Sequence, residues 1–225
     1  ITGVTVLAGS VDGDRYADFG LNFQTTVVDG TGAGDVLIGT WQHDRFNGKG
    51  GADTLLGSHG EDKLYGGGGT DALFGGLHAD TLDGSTGADV LNGGAQDDSL
   101  IGGDGGDSLY GGYDNDTLDG GKNGDLLQGN QDDDLLTGGG GADTLQGNAG
   151  LDTLDGGDGA DSLDGGSGAD ELTDGAGSDT VTGGAGVDTF VFAADGATDT
   201  ITDFKDGTDL IEDTLFDGSL LRRIQ

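Results

Sequence analysis

Apolar and polar positions alternate through most of this chain on a fixed period of nine residues. A large apolar residue stands at Leu37, Phe46, Leu55 and every ninth position after them, through Leu172, Val181 and Phe190. Two residues before each stands an aspartate: Asp35, Asp44, Asp53, Asp62, Asp71, Asp80, Asp89, Asp98, Asp107, Asp116, Asp125, Asp134, Asp143, Asp152, Asp161, Asp170, Asp179 and Asp188. Five residues before each aspartate is a glycine, from Gly30 to Gly183, with Asp174 as the one exception. Numbered from that glycine, each unit has its aspartate at position 6 and its apolar residue at position 8. The best-formed units read GGGGADTLQ (138–146), GGDGADSLD (156–164) and GGSGADELT (165–173).

The pattern predicts one small element per unit. The first six residues read as a glycine-rich turn, because glycine tolerates positive φ and close backbone approach. The last three read as a short strand, with position 8 on one face and positions 7 and 9 on the other. So short a strand cannot bury its leucine alone, so the units must stack into a solenoid around a continuous apolar row.

A longer period sets the number of units per turn. Taken in alternation from the unit of Asp35, position 5 is always small: Gly34, Ala52, Thr70, Ala88, Gly106, Gly124, Ala142, Ala160 and Ser178. The intervening units carry His43, Glu61, Ala79, Asp97, Asn115, Asp133, Leu151, Ala169 and Val187 there, and they also hold Trp41, His59, Leu77 and Tyr113 at position 3. Two units therefore make one 18-residue turn, with one loop on each of two edges. Nine such turns at the strand spacing of ~4.8 Å make a rod roughly 40 Å long.

Composition changes the picture in one respect. Hydrophobic residues make up 32% of the chain, glycine fills 53 positions, and 43 acidic residues face 8 basic ones for a net charge of −35. That balance repels nucleic acid and anionic membranes and is close to the signature of disorder. A compact state requires something to neutralise the carboxylates. A hard divalent cation, bound by carboxylate and carbonyl oxygens, is the candidate. With no cysteine there is neither a disulfide nor a thiolate metal site, and no apolar run is long enough to span a bilayer.

The nonapeptide resembles the repeats-in-toxin, or RTX (haemolysin-type), calcium-binding family over about Gly30 to Val191. The resemblance implies an all-β parallel β-roll, a right-handed solenoid with calcium between consecutive loops on the same edge. It also implies a bacterial secreted protein exported by type I secretion, folding outside the cell or at its surface. The ligands it implies are loop carbonyls and the position 6 aspartates. All of those aspartates are candidates except Asp44, whose loop Thr40-Trp41-Gln42-His43 is the poorest match. Eighteen loops leave room for up to about 16 ions, whose +32 would nearly offset the −35 of the chain. After the repeats, the stretch from Asp199 through Asp203, Phe204, Gly207 and Asp209 to Ile211 resembles the capping segment that follows such arrays.

Three regions are expected: an N-terminal β segment (1–29), the calcium-binding roll (30–191) and a C-terminal β cap (192–225). Residues 1–29 resemble the end of a preceding module. Asp12, Asp14 and Asp18 read there as a solvated turn rather than an ion site. The chain carries no HExxH, no GxSxG and no GxxxxGK[ST], Gly48-Lys49 being followed by Gly50. His43, His59 and His78 read as surface histidines, so no catalysis is expected within the chain. An adhesive or self-assembling structural module, or the non-catalytic C-terminal part of a secreted protease, lipase or epimerase, stays open as an alternative.

Two finer expectations concern the outside. Val36, Ile38, Leu56, Ala72, Phe74, Val90 and Tyr110 should form an apolar stripe on one sheet, covered by residues 1–29 or by a second chain. The edges should also bind calcium unequally. Position 4 is glycine along the edge of Asp35 except at Ala33 and Asn123. The opposite edge has Gln42, His78, Gln96, Asp114 and Asp132 there. The first edge should hold a nearly unbroken ladder of ions, and the second should have gaps between about Asp44 and Asp134.

Overall fold

The computed structural model describes residues 26–205 and 207–213. Within them the chain winds through short parallel strands, each strand lying in the opposite sheet from the one before it. One sheet holds ten strands, from Val36–Ile38 to Thr200–Ile201. The other holds eleven, from Thr26–Asp29 to Leu210–Asp213. Register along the repeats is 18 residues, so that Leu55 pairs with Leu73 and Leu64 with Leu82. The fold is a parallel β-roll of about ten turns, with two units to the turn and no helix among the described residues.

The apolar position dictates this arrangement. Each position 8 residue from Leu37 to Phe190 is buried, and together with Val28, Phe192 and Ile201 they form one core. The core is a single layer of side chains between two sheets. Each buried leucine contributes on the order of 1.5–3 kcal/mol, and no turn could hold its pair without neighbours above and below. Positions 7 and 9 face outward and are partly or fully exposed, as in Leu126-Leu127-Gln128.

The strands differ from the three residues per unit expected. Most run for six, as in Thr54–His59 and Ser108–Tyr113, covering positions 7–9 and then positions 1–3 of the next unit. The glycines at the start of a unit bend the ladder without ending it. Pairing steps over position 1, between Tyr110↔Gln128 and Gly112↔Asn130, and Gly112 takes a φ of 131°. Only positions 4–6 form the turn.

Neither sheet breaks near residue 29 or residue 191. Thr26–Asp29 pairs with Asp44–Asn47, while Thr200–Ile201 and Leu210–Asp213 continue the two sheets beyond the repeats. Of the apolar stripe, Ile38, Leu56 and Phe74 lie in register on the ten-stranded sheet, with Ile38 and Phe74 each 38% exposed. Asn92 then separates Phe74 from Tyr110. The N-terminal cover expected for this stripe and the turn of Asp12, Asp14 and Asp18 fall outside the described residues.

Candidate metal centres

Nearly every strand of the repeats begins immediately after a position 6 aspartate, Asp44–Asn47 starting at the aspartate itself, so the parallel register stacks these residues into one row along each edge. The row of Asp35, Asp53, Asp71, Asp89, Asp107, Asp125, Asp143, Asp161 and Asp179 is the first edge. That of Asp44, Asp62, Asp80, Asp98, Asp116, Asp134, Asp152, Asp170 and Asp188 is the second. All of them are buried. The amide of each donates to Oδ1 of the aspartate 18 residues later, at 2.6–2.9 Å for every donor from Asp35 through Asp161. One carboxylate oxygen is thereby committed to the backbone of the preceding turn.

The other oxygen has no such use. From Asp53 to Asp188, Oδ2 of every position 6 aspartate is buried without a hydrogen-bond partner, and Asp44 leaves its Oδ1 in that state. Asp35 differs, because its Oδ2 accepts the amide and the hydroxyl of Thr31. Thr40 serves Asp44 Oδ2 in the same way.

The glycine at position 1 explains where Oδ2 points. In all seventeen units that have this glycine, Oδ2 of the unit's own aspartate stands no more than 2.9 Å from where a Cβ would be. In most of them the carbonyl oxygen of the position 1 residue one turn on lies against the same spot, as Gly102 O does for Gly84. The missing side chain leaves an oxygen-lined niche.

Stacked buried carboxylates resist ionisation. Burial is the largest cause, neighbouring aspartates add to it, and the accepted amide bond works against it. Asp98 and Asp134 are pushed up to about 8, Asp62, Asp80, Asp116 and Asp125 to about 7, and Asp89, Asp152, Asp161 and Asp170 to about 6. Asp53, Asp71, Asp107, Asp143, Asp179 and Asp188 are raised as well. The ion pairs Lys49–Asp29 and Lys122–Asp104 lie at the surface and do not touch the rows.

The family profile described as the RTX calcium-binding nonapeptide repeat matches residues 38–73, 74–109, 93–127, 110–145, 128–163, 137–172 and 164–198. The chain belongs to this RTX family. A search of curated proteins returns no match. RTX repeats bind Ca2+ between their loops, and the donors found here suit that ion. They are oxygens only, anionic and carbonyl, in the niches left by position 1 glycines, and their unpartnered atoms require a cation or a proton. Bound calcium would supply positive charge to the rows. The aspartates would hold it, with Oδ1 from Asp53 to Asp188 already fixed by an amide.

The loops of the two edges differ in backbone. Glycines at position 4 take φ values such as 128° (Gly69), 138° (Gly87) and 148° (Gly177). On the second edge His78, Gln96, Asp114 and Asp132 take 82°, 78°, 70° and 70° at that position, as Asn123 on the first edge takes 72°. These second-edge loops are also tied by side chains. Gln96 N donates to Asp114 Oδ2 and Asp114 N to Asp132 Oδ2, at 3.2 and 3.3 Å. Asn115 N donates to Asp97 Oδ1, Asp133 N to Asn115 Oδ1 and Leu151 N to Asp133 Oδ1, at 2.7–3.1 Å.

The histidines sit in three successive loops of that edge, each in its own surface contact: His43 with Glu61, His59 stacked on Trp41, and His78 beside Gln96. The RTX β-roll is a structural calcium-binding module, and no helix among the described residues is long and apolar enough to cross a membrane.

Sequence reasoning missed the ends of the rows. Asp179 N donates to Asp199 Oδ1 and Asp188 N to Asp209 Oδ1, both at 3.4 Å, so the cap extends each edge by one aspartate. The steps are 20 and 21 residues, which a search on a period of nine passes over. The signal was present all the same, since Asp199-Thr-Ile and Asp209-Leu-Ile repeat the spacing from aspartate to apolar residue. Asp203 accepts the amides of Gly183 and Gly184, and the Phe204 ring meets that of Phe190.

Proposed function

We propose that this chain is a calcium-dependent folding and stabilising module of a larger bacterial exoprotein, exported by type I secretion and folding outside the cell. The observation that carries the reading is the row of buried, unpartnered carboxylate oxygens running from Asp44 to Asp188. Burying unpaired carboxylates costs several kcal/mol each, far more than the leucine row returns, so the ionised roll without metal is unstable. Extracellular modules of this kind bind calcium at roughly 10⁻⁴–10⁻³ M, which leaves the chain loose where calcium is scarce and ordered where it is plentiful. A chain of that kind passes a narrow export channel unfolded. Membership of the RTX family supports the route.

The proposed ligands are the position 6 aspartates with loop carbonyls, filled more completely along the first edge than along the second. Circular dichroism tests the folding role. Excess chelator at pH 8 should leave coil, and millimolar calcium should restore the strand signal cooperatively. Full strand content in chelator at that pH overturns the reading. Ion counts on each edge of a calcium-soaked crystal test the inequality, which equal and complete occupancy would sink.

A further inference from the structure

Asp174 stands alone among the eighteen units in replacing the glycine of position 1. The strand before it, Glu171–Thr173, stops after three residues, whereas its predecessor in the sheet, Thr153–Gly159, runs for seven. The Asp174 side chain turns inward and is 1% exposed, with Oδ1 accepting the amide of Ala193 at 2.8 Å. One carboxylate oxygen each from Asp174, Asp179 and Asp199 lie within 4.8 Å of one another, and all three residues are buried.

Asp179 provides the second observation. It is 1% exposed, its Oδ1 is taken by the amide of Asp161 at 2.8 Å, and its Oδ2 is buried with no hydrogen-bond partner. In the seventeen glycine units the corresponding Oδ2 faces position 1. Here position 1 is itself a carboxylate. Asp199 approaches from the cap after a step of 20 residues, and its bond to the Asp179 amide is stretched to 3.4 Å.

We propose that Asp174, Asp179 and Asp199 form a terminal site for a hard divalent cation, calcium, that binds more tightly than the loops and fastens the cap to the last turn. The inference rests on the calcium reading of the loops and adds to it a site in the interior, built by a residue outside the repeat pattern. All its donors are oxygens, which selects calcium over softer metals. Three converging carboxylates give it more negative charge than a loop, and ligand charge is what raises calcium affinity.

Calcium titration of the full chain by calorimetry tests the site, together with D174N and with D174G, which restores the repeat glycine and so preserves the folding pattern. Hydrogen exchange at the amides of Thr200 and Thr202, bonded to Asp179 O and Val181 O, provides a local readout. The unsubstituted chain should bind one ion at least tenfold more tightly than the rest. Both variants should lose that ion, keep the others and still fold with calcium, and their Thr200 and Thr202 amides should exchange more than tenfold faster at the calcium level that fills the tight site. D174G binding the same number of ions, with the tightest affinity unchanged, overturns the terminal site and leaves the folding role standing. An unsubstituted chain that shows no calcium-induced folding sinks both.

Discussion

Along the first edge of the roll, position 4 is glycine in seven of nine loops, and that glycine sits so close to the loop above that a Cβ at Gly87 would overlap the carbonyl oxygen of Gly69. Along the middle of the second edge the same position holds His78, Gln96, Asp114 and Asp132. Their backbones rotate to φ 70–82°, and the amides of Gln96 and Asp114 are served by side chains from the next turn. Both edges carry the same aspartates in the same register. What differs is the covering. Burial acts most strongly in the middle of the second row, and Asp97 beside Asp98 and Asp132 beside Asp134 add negative charge there, so those two are pushed up to about 8. Asp125 on the first edge reaches about 7, and Asp89 and Asp161, like Asp152 and Asp170 further along the second edge, about 6. The second row thus holds its protons most tightly in the stretch where its position 4 glycines are missing.

The largest expected effect is on pH dependence without metal. These carboxylates are raised from an ordinary value of 3.8, so the protonated form is favoured by folding. Their contribution to stability is full below about pH 4 and is lost as pH rises through 6 to 8. In chelator the chain should hold strand structure at pH 5 and lose it by pH 8, followed by circular dichroism. Calcium affinity should rise over the same window, because metal displaces the protons. A metal-free chain better folded at pH 8 than at pH 5 would break the account.

Substitution at position 4 comes next. Gly87→Ala should destabilise the calcium-loaded roll by about 2–3 kcal/mol, since its φ of 138° and the carbonyl above both oppose a side chain. Gln96→Ala, in a loop already adapted to a Cβ, should stay within about 0.5 kcal/mol. Denaturant midpoints at saturating calcium compare the two, and equal losses would erase the distinction between edges. A smaller gain is expected from His78→Gly, about 1 kcal/mol from relief of the positive φ. Asn115→Ala should also have a small effect, below about 1 kcal/mol, because it removes one exposed hydrogen bond to Asp133 N. Its effect should be visible chiefly as faster exchange of that amide.

Much of this was legible in the sequence because a solenoid repeats its own constraints. The nine-residue spacing of Leu37, Phe46 and Leu55 is the core, and the alternation of small residues at position 5 with residues such as His43 and Glu61 is the division into two edges. The strand length was not legible. Glycines such as Gly111 and Gly112 read as turn by propensity, yet cross-strand pairing with the turns on either side holds them in the sheet. Asp199 and Asp209 were hidden by insertions that shift spacing without shifting register. Asp174 was visible as an exception, but its convergence with Asp199 depends on how the cap folds back.

Alternation of consecutive strands between two sheets also governs how such a chain can lengthen or shorten. Removing 18 residues would excise one whole storey and leave every loop downstream on its own side. Removing nine would move each downstream loop across to the opposite side, setting glycine loops on rows shaped for His78 and Gln96 and presenting Asp199 to the wrong row. Gene duplication and loss in an array of this design should therefore proceed in pairs of units, and an odd number of nonapeptides should be tolerated only next to an end.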